Sequence, residues 1–79
     1  MKPPYTNRQG QYLAFIYYYT KLNRQAPAYA DFQKYFRLDP ASVNAMIKTL
    51  ESKGFISKER GKARSIKLLL SKEELPELE

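Results

Sequence analysis

Neither cysteine nor histidine occurs in the chain. Without cysteine there is no disulfide framework and no thiolate metal site. Without histidine the commonest general base and the commonest metal ligand are both missing. No motif sets two carboxylates against each other, so no catalytic residue stands out. The chain is expected not to be an enzyme, to hold no metal, to need no cofactor and to bind no evident small-molecule ligand. Long apolar runs are missing too. The longest uncharged stretch near the start, Gln9–Thr20, holds Gly10, two glutamines and four tyrosines, and it is too short and too polar to span a bilayer. No membrane partner and no secretory signal are expected, which leaves the cytoplasm as the default location.

What is present is enough for one small domain. Seventy-nine residues make a modest core, and the apolar share of 43% is ordinary for a globular chain. The charge is uneven. Residues 1–40 carry +4, residues 41–70 carry +5, and the last nine carry −3, because Lys72 stands against Glu73, Glu74, Glu77 and Glu79. A basic body with a short acidic tail suggests a polyanion-binding surface on the body.

Helix signals order the chain. After an extended Pro3-Pro4 arm, Thr6 reads as an N-cap with Gln9 completing a capping box, and Tyr5 is placed for a weak staple near Gly10. The first helix is predicted over Asn7–Leu22, with Tyr12, Phe15, Ile16 and Tyr19 as its core stripe. Ala26-Pro27 ends it, since the residue before proline is pushed to extended backbone. A second helix is predicted over Tyr29–Phe36, burying Phe32, Tyr35 and Phe36, with Leu38 as an apolar plug after it. The third has the clearest punctuation. Asp39 caps it, Pro40 opens it, Val43, Met46, Ile47 and Leu50 repeat at helical spacing, and Gly54 closes it. Phe55–Lys58 and Ser65–Leu69 then read as two strands around a basic turn centred on Gly61. The order helix, helix, helix, hairpin, with about three residues between the second and third helices, describes a helix-turn-helix followed by a wing. The fold class expected is mainly α with a small β-hairpin, a three-helix winged helix-turn-helix over residues 1–70. Residues 71–79 follow as an acidic tail or linker, with a turn of helix up to Leu75 and a frayed end beyond.

The core stripe of the third helix leaves Ala41, Ser42, Asn44, Ala45 and Lys48 facing out. The start of such a helix lies in the major groove. There a side-chain amide such as Asn44 pairs bidentately with adenine, small residues allow close approach, and Lys48 reaches a guanine edge or a phosphate. Lys58, Arg60, Lys62 and Arg64 surround the hairpin turn and suit the DNA backbone, as do Arg8, Lys34 and Arg37, with Lys2 near the start. Leu13 and Tyr17 fall outside the first helix's core stripe and are candidates for a homodimer contact. The rival readings are a winged-helix protein-interaction module using the tyrosine-rich first helix, and a binder of structured RNA.

Several of these segments together carry a resemblance: Thr6-Asn7-Arg8-Gln9, the Pro27 turn, Asp39-Pro40, Leu50-Glu51-Ser52-Lys53-Gly54-Phe55-Ile56 and Ser65-Ile66-Lys67-Leu68-Leu69. In this order they resemble the N-terminal DNA-binding domain of LexA-type repressors, over about residues 5–70. The resemblance implies a winged helix-turn-helix, double-stranded DNA as partner, and transcriptional regulation as a repressor at the nucleoid. It differs at the reading helix. The family uses an Asn-Ala-x-Glu-type run where this chain has Ala41-Ser42-Val43-Asn44-Ala45, so the operator need not be the family's. The family's self-cleaving Ser-Lys protease domain has no counterpart within these residues, and self-cleavage is not implied.

Overall fold

Thr6 starts the first helix as its spacing predicts. In a computed structural model, which describes residues 4–79, the Thr6 hydroxyl accepts the Gln9 N–H at 3.1 Å, and the Gln9 side chain accepts the Thr6 N–H at 3.0 Å. This reciprocal box satisfies two N–H groups that a helix start leaves unpaired. The helix, α1, runs Asn7–Asn23 and ends where Arg24 turns into left-handed backbone.

Helix α2, Tyr29–Phe36, has an alanine at its cap position. Asp31 compensates by accepting the Ala28 N–H on Oδ2 at 2.7 Å, and its charge suits the positive end of the helix. Arg37, at φ 56°, ends α2, and the Leu38 N–H closes on the Gln33 carbonyl at 3.1 Å. Leu38 is half-buried against the core, in the plugging position expected of it.

Helix α3 is Pro40–Ser52. Asp39 Oδ1 accepts the Ser42 N–H at 2.7 Å. The Ser42 side chain first, and then that N–H, hold the Asp39 carboxyl below the usual carboxylate range. At the far end Gly54 sits at φ 79°. The Phe55 N–H reaches the Leu50 carbonyl at 3.1 Å, and the Gly54 N–H reaches Glu51 at 3.0 Å. This is a Schellman closure, which requires the left-handed residue that glycine supplies most cheaply. It turns the chain directly into the hairpin, β1 Ile56–Ser57 paired antiparallel with β2 Lys67–Leu68, in register Ile56↔Leu68 and Ser57↔Lys67. Both strands are shorter than predicted, although the Leu69 N–H also bonds to the Phe55 carbonyl at 2.9 Å beyond them. None of the described helices is long and apolar enough to cross a membrane.

The core lies between the three helices and the hairpin. Phe32, Leu13, Ile16, Ile47, Leu50, Ile56 and Val43 are almost wholly removed from solvent. Phe15 sits among the rings of Tyr19, Phe32, Tyr35 and Phe36, with centroids 4.7 to 5.6 Å away. The faces differ from the periodic reading at several positions, among them Tyr19 and Phe36, expected in the core and half-buried at its edge. Leu13, expected at a dimer contact, is fully buried in the core, because α1 packs against β2 as well as its own core stripe and so buries a wider arc. Tyr35, expected in the core, is 47% exposed. Its hydroxyl reaches the chain end, donating to the Glu79 carbonyl at 3.2 Å. Met46 is only half-buried, at the edge of the α3 stripe.

The tail differs most. Its helical turn is present, as a 3-10 helix at Lys72–Glu74, but the residues beyond are docked and not frayed. Leu75 and Leu78 pack against the core cluster. The Gln11 amide behaves like a strand partner, donating to the Glu77 carbonyl at 2.9 Å and accepting the Glu79 N–H at 2.8 Å. The Tyr5 hydroxyl donates to the Glu74 carbonyl.

Gly10 makes room for this arrangement. A Cβ there would lie 2.8 Å from Tyr5 Cε1 and 3.0 Å from Pro76 Cγ. Inside a helix, Gly→Ala ordinarily gains about 0.5–1 kcal/mol. Here Gly10→Ala is expected to forfeit that gain and to lower the melting temperature, with faster amide exchange at Glu79. A raised melting temperature with unchanged exchange would show that Tyr5 and the tail move aside at no cost.

Candidate nucleic-acid interface

Ala41, Asn44, Ala45 and Lys48 fall at i, i+3, i+4 and i+7 and so share one face of α3. Val43, Ile47 and Leu50 occupy the opposite face and are buried. The four outward residues and Ser42 are all exposed. All five expected base-contact residues therefore lie on accessible surface at the start and middle of α3. The Ser42 N–H is already committed to Asp39.

Asn44 faces a groove of about 430 Å³. Its other walls are the start of α2, at Pro27, Ala28 and Tyr29, and the loop of the hairpin from Lys58 to Ile66. The structure thus brings together the amide on α3 and three of the expected wing cations, Lys58, Lys62 and Arg64. Arg60, at the loop tip, is exposed. Lys58 is half-buried, its Nζ 5.6 Å from the centre of the Tyr29 ring. Lys62 is exposed and lies 3.3 Å from Glu59, an exposed pair that contributes little to stability and leaves the ammonium accessible.

The other expected backbone contacts lie elsewhere. Lys34 and Arg37 flank a separate hollow with Phe15, Tyr19, Asp31 and Tyr35. Arg8 is exposed on α1, where its Nε donates to the Tyr12 hydroxyl at 2.9 Å. That bond satisfies the polar end of a ring that is only 5% exposed. Lys2 lies outside the described residues. Tyr17 is half-buried against Lys21 and lines a hollow with Leu68.

Two wing features are not legible in the sequence. Ser65 organises the loop from inside: its hydroxyl accepts the Glu59 N–H at 3.0 Å, and its one proton is within reach of the Lys62 carbonyl at 2.9 Å and the Glu59 carbonyl at 3.1 Å. Arg64 points back into the body. Its Nη1 donates to the Tyr19 hydroxyl at 3.1 Å, the Ala26 carbonyl at 3.1 Å and Asp31 Oδ2 at 3.2 Å. The Tyr19 contact leads in favouring the charged guanidinium, raising its pKa further. A reading based on charge alone places Arg64 with the other wing cations. A short polar or acidic residue opposite an arginine only by folding leaves no local signal.

A family model described as the LexA DNA binding domain matches residues 1–65. The LexA repressor of Thermosipho africanus (strain TCF52B) is 38% identical over 64 residues, covering 81% of this chain and 32% of that protein. The LexA repressor of Thermosipho melanesiensis is 33% identical over 70 residues, covering 89% of this chain and 35% of that one. The LexA repressor of Pseudothermotoga lettingae is 37% identical over 70 residues, with 87% and 34% covered. The chain spans about a third of the length of these curated relatives.

Proposed function

Since the chain belongs to the LexA DNA-binding domain family, we propose that it is a sequence-specific, duplex-DNA-binding transcriptional repressor that reads the major groove with α3 and the backbone with its wing. The observation that carries this reading is the exposed stripe of Ala41, Asn44, Ala45 and Lys48, set beside a basic loop across one groove. The small residues let the helix backbone approach base edges, and Asn44 supplies the donor and acceptor pair that matches adenine. Arg60 and Lys62 at the loop tip, with Lys58 behind them, meet phosphates and set the helix in register without reading sequence. Lys48 extends the same stripe toward a guanine edge or a phosphate.

The tyrosine-rich face of α1 gives less support to the protein-interaction reading. Of the tyrosines on α1, Tyr12 is buried, Tyr17, Tyr18 and Tyr19 are half-buried, and the docked tail occupies the helix around Gln11.

Binding of a random duplex, measured across salt concentrations, tests the proposal. Affinity is expected to fall steeply with salt, and Lys62→Ala is expected to flatten the slope of log K against log salt by about 0.9. Its loss in affinity is expected to be similar on every sequence. Binding that is absent or indifferent to salt would end the reading. Selection from a random duplex library then gives the site.

A further inference from the structure

Arg64 is a wing cation whose guanidinium, although exposed, is hydrogen-bonded to three groups of the helical body. Its Nη1 has two hydrogens shared among three acceptors, each from a different part of the fold: Tyr19 on α1, the Ala26 carbonyl in the turn before α2, and Asp31 on α2. Asp31 Oδ2 also holds the Ala28 N–H, so one carboxylate oxygen joins the start of α2 to the wing. The Arg64 backbone is at φ 53°, left-handed like Arg24 and Arg37, and this turn places its side chain at the base of the loop. The loop between Glu59 and Ser65 is closed on itself by Ser65, and β1 and β2 pair over two residues each. So short a ladder leaves the angle of the loop to the body to be set by something else.

We propose that Arg64 is a positioning residue that clamps the base of the wing to α1 and α2, and that it fixes where Lys62 and Arg60 stand relative to Asn44, instead of contacting DNA phosphate itself. This rests on the reading of α3 and the wing as the DNA-binding surface. The clamp gives the groove beside Asn44 a defined width, since Arg64 and Tyr29 form parts of its walls.

Asp31→Asn separates the two roles because it changes the charge in the opposite direction to the expected effect. If Arg64 contacts phosphate, removing a neighbouring carboxylate frees its guanidinium, and duplex affinity rises. If Arg64 is a clamp, Asp31→Asn weakens binding several-fold although the protein gains a unit of positive charge, and the salt slope flattens as the wing cations leave their places. Tyr19→Phe removes one acceptor while keeping the Asp31 bond to Ala28 and the net charge, and it is expected to weaken binding in the same direction by less. Binding is measured below the thermal transition of each variant, so loss of fold is excluded. Coupling gives the readout that a purely structural role would not move. Lys62→Ala is expected to cost less in the Asp31→Asn background than in the unaltered protein. Tighter binding by Asp31→Asn, or an undiminished Lys62→Ala effect in that background, would overturn the clamp. An Lys62→Ala variant with unchanged affinity and salt slope in the otherwise native protein would instead overturn the wing reading on which the clamp depends.

Discussion

Phe32→Ala is expected to leave the protein largely unfolded at moderate temperature. Phe32 is fully buried and meets Phe15 edge-on at 5.1 Å in the middle of the aromatic cluster. Truncating a buried phenylalanine costs about 3–5 kcal/mol, from lost transfer energy and the cavity left behind. Small domains sit near the low end of the stability range, about 5 kcal/mol. A loss of this size therefore removes most of the margin. A drop in melting temperature of more than about 12 °C is expected, taking roughly 4 °C per kcal/mol as the lower bound for a domain of this size. Tyr35 provides the comparison. It also faces Phe15, at 4.7 Å, but is 47% exposed, and Tyr35→Ala is expected to shift the midpoint by much less. Equal shifts for the two variants would mean that the core is not centred where burial places it.

Asn44→Ala is expected to have the largest effect on recognition. The amide stands on the exposed face of α3 at the edge of the wing groove. A bidentate amide–adenine pair contributes about 1–3 kcal/mol of discrimination, a factor of roughly 5 to 150. Affinity for a selected duplex is expected to fall by that factor, while affinity for random duplex and the salt slope stay close to the original. Asn44 carries no charge and belongs to no salt-dependent contact. The fold is expected to be unaffected, because alanine is at least as good a helix former as asparagine on an exposed face. A uniform loss over all sequences would place Asn44 on the backbone and remove it from base reading. The contrast with Lys62→Ala, uniform over sequences and seen in the salt slope, is what separates reading from positioning.

Much of the domain is legible along the chain because its signals are local. The Thr6–Gln9 box, the Asp39-Pro40 start and the Gly54 stop each involve residues within a few positions of one another, where capping and left-handed closure act. The outward stripe of α3 follows from the inward one, since both are set by one helical period. The match to the LexA DNA binding domain over residues 1–65 agrees with the order of elements read from those signals.

Contacts between distant segments are a different matter. Periodicity gives the direction a side chain takes from its helix, and cannot say which directions another segment covers. Leu13 is buried although it lies outside the predicted stripe, because the hairpin also packs on α1. The tail reads as polar and frayed, yet Gln11 offers it a donor and an acceptor at strand spacing, and Gly10 leaves space for Pro76 and Tyr5. Arg64 shares its charge and its loop with Lys62, and only folding places Tyr19, Ala26 and Asp31 around its guanidinium.

The sequence by itself therefore determined the three helices, their punctuation, the hairpin and the exposed face of α3, all of which depend on interactions a few residues long. Tertiary structure alone decided that Leu13 belongs to the core, that the acidic tail is docked, and that the guanidinium of one exposed wing cation, Arg64, is bound by the helical body. Those outcomes depend on groups between 33 and 69 positions apart, whose meeting is set by how the helices pack and not by any local preference of the chain.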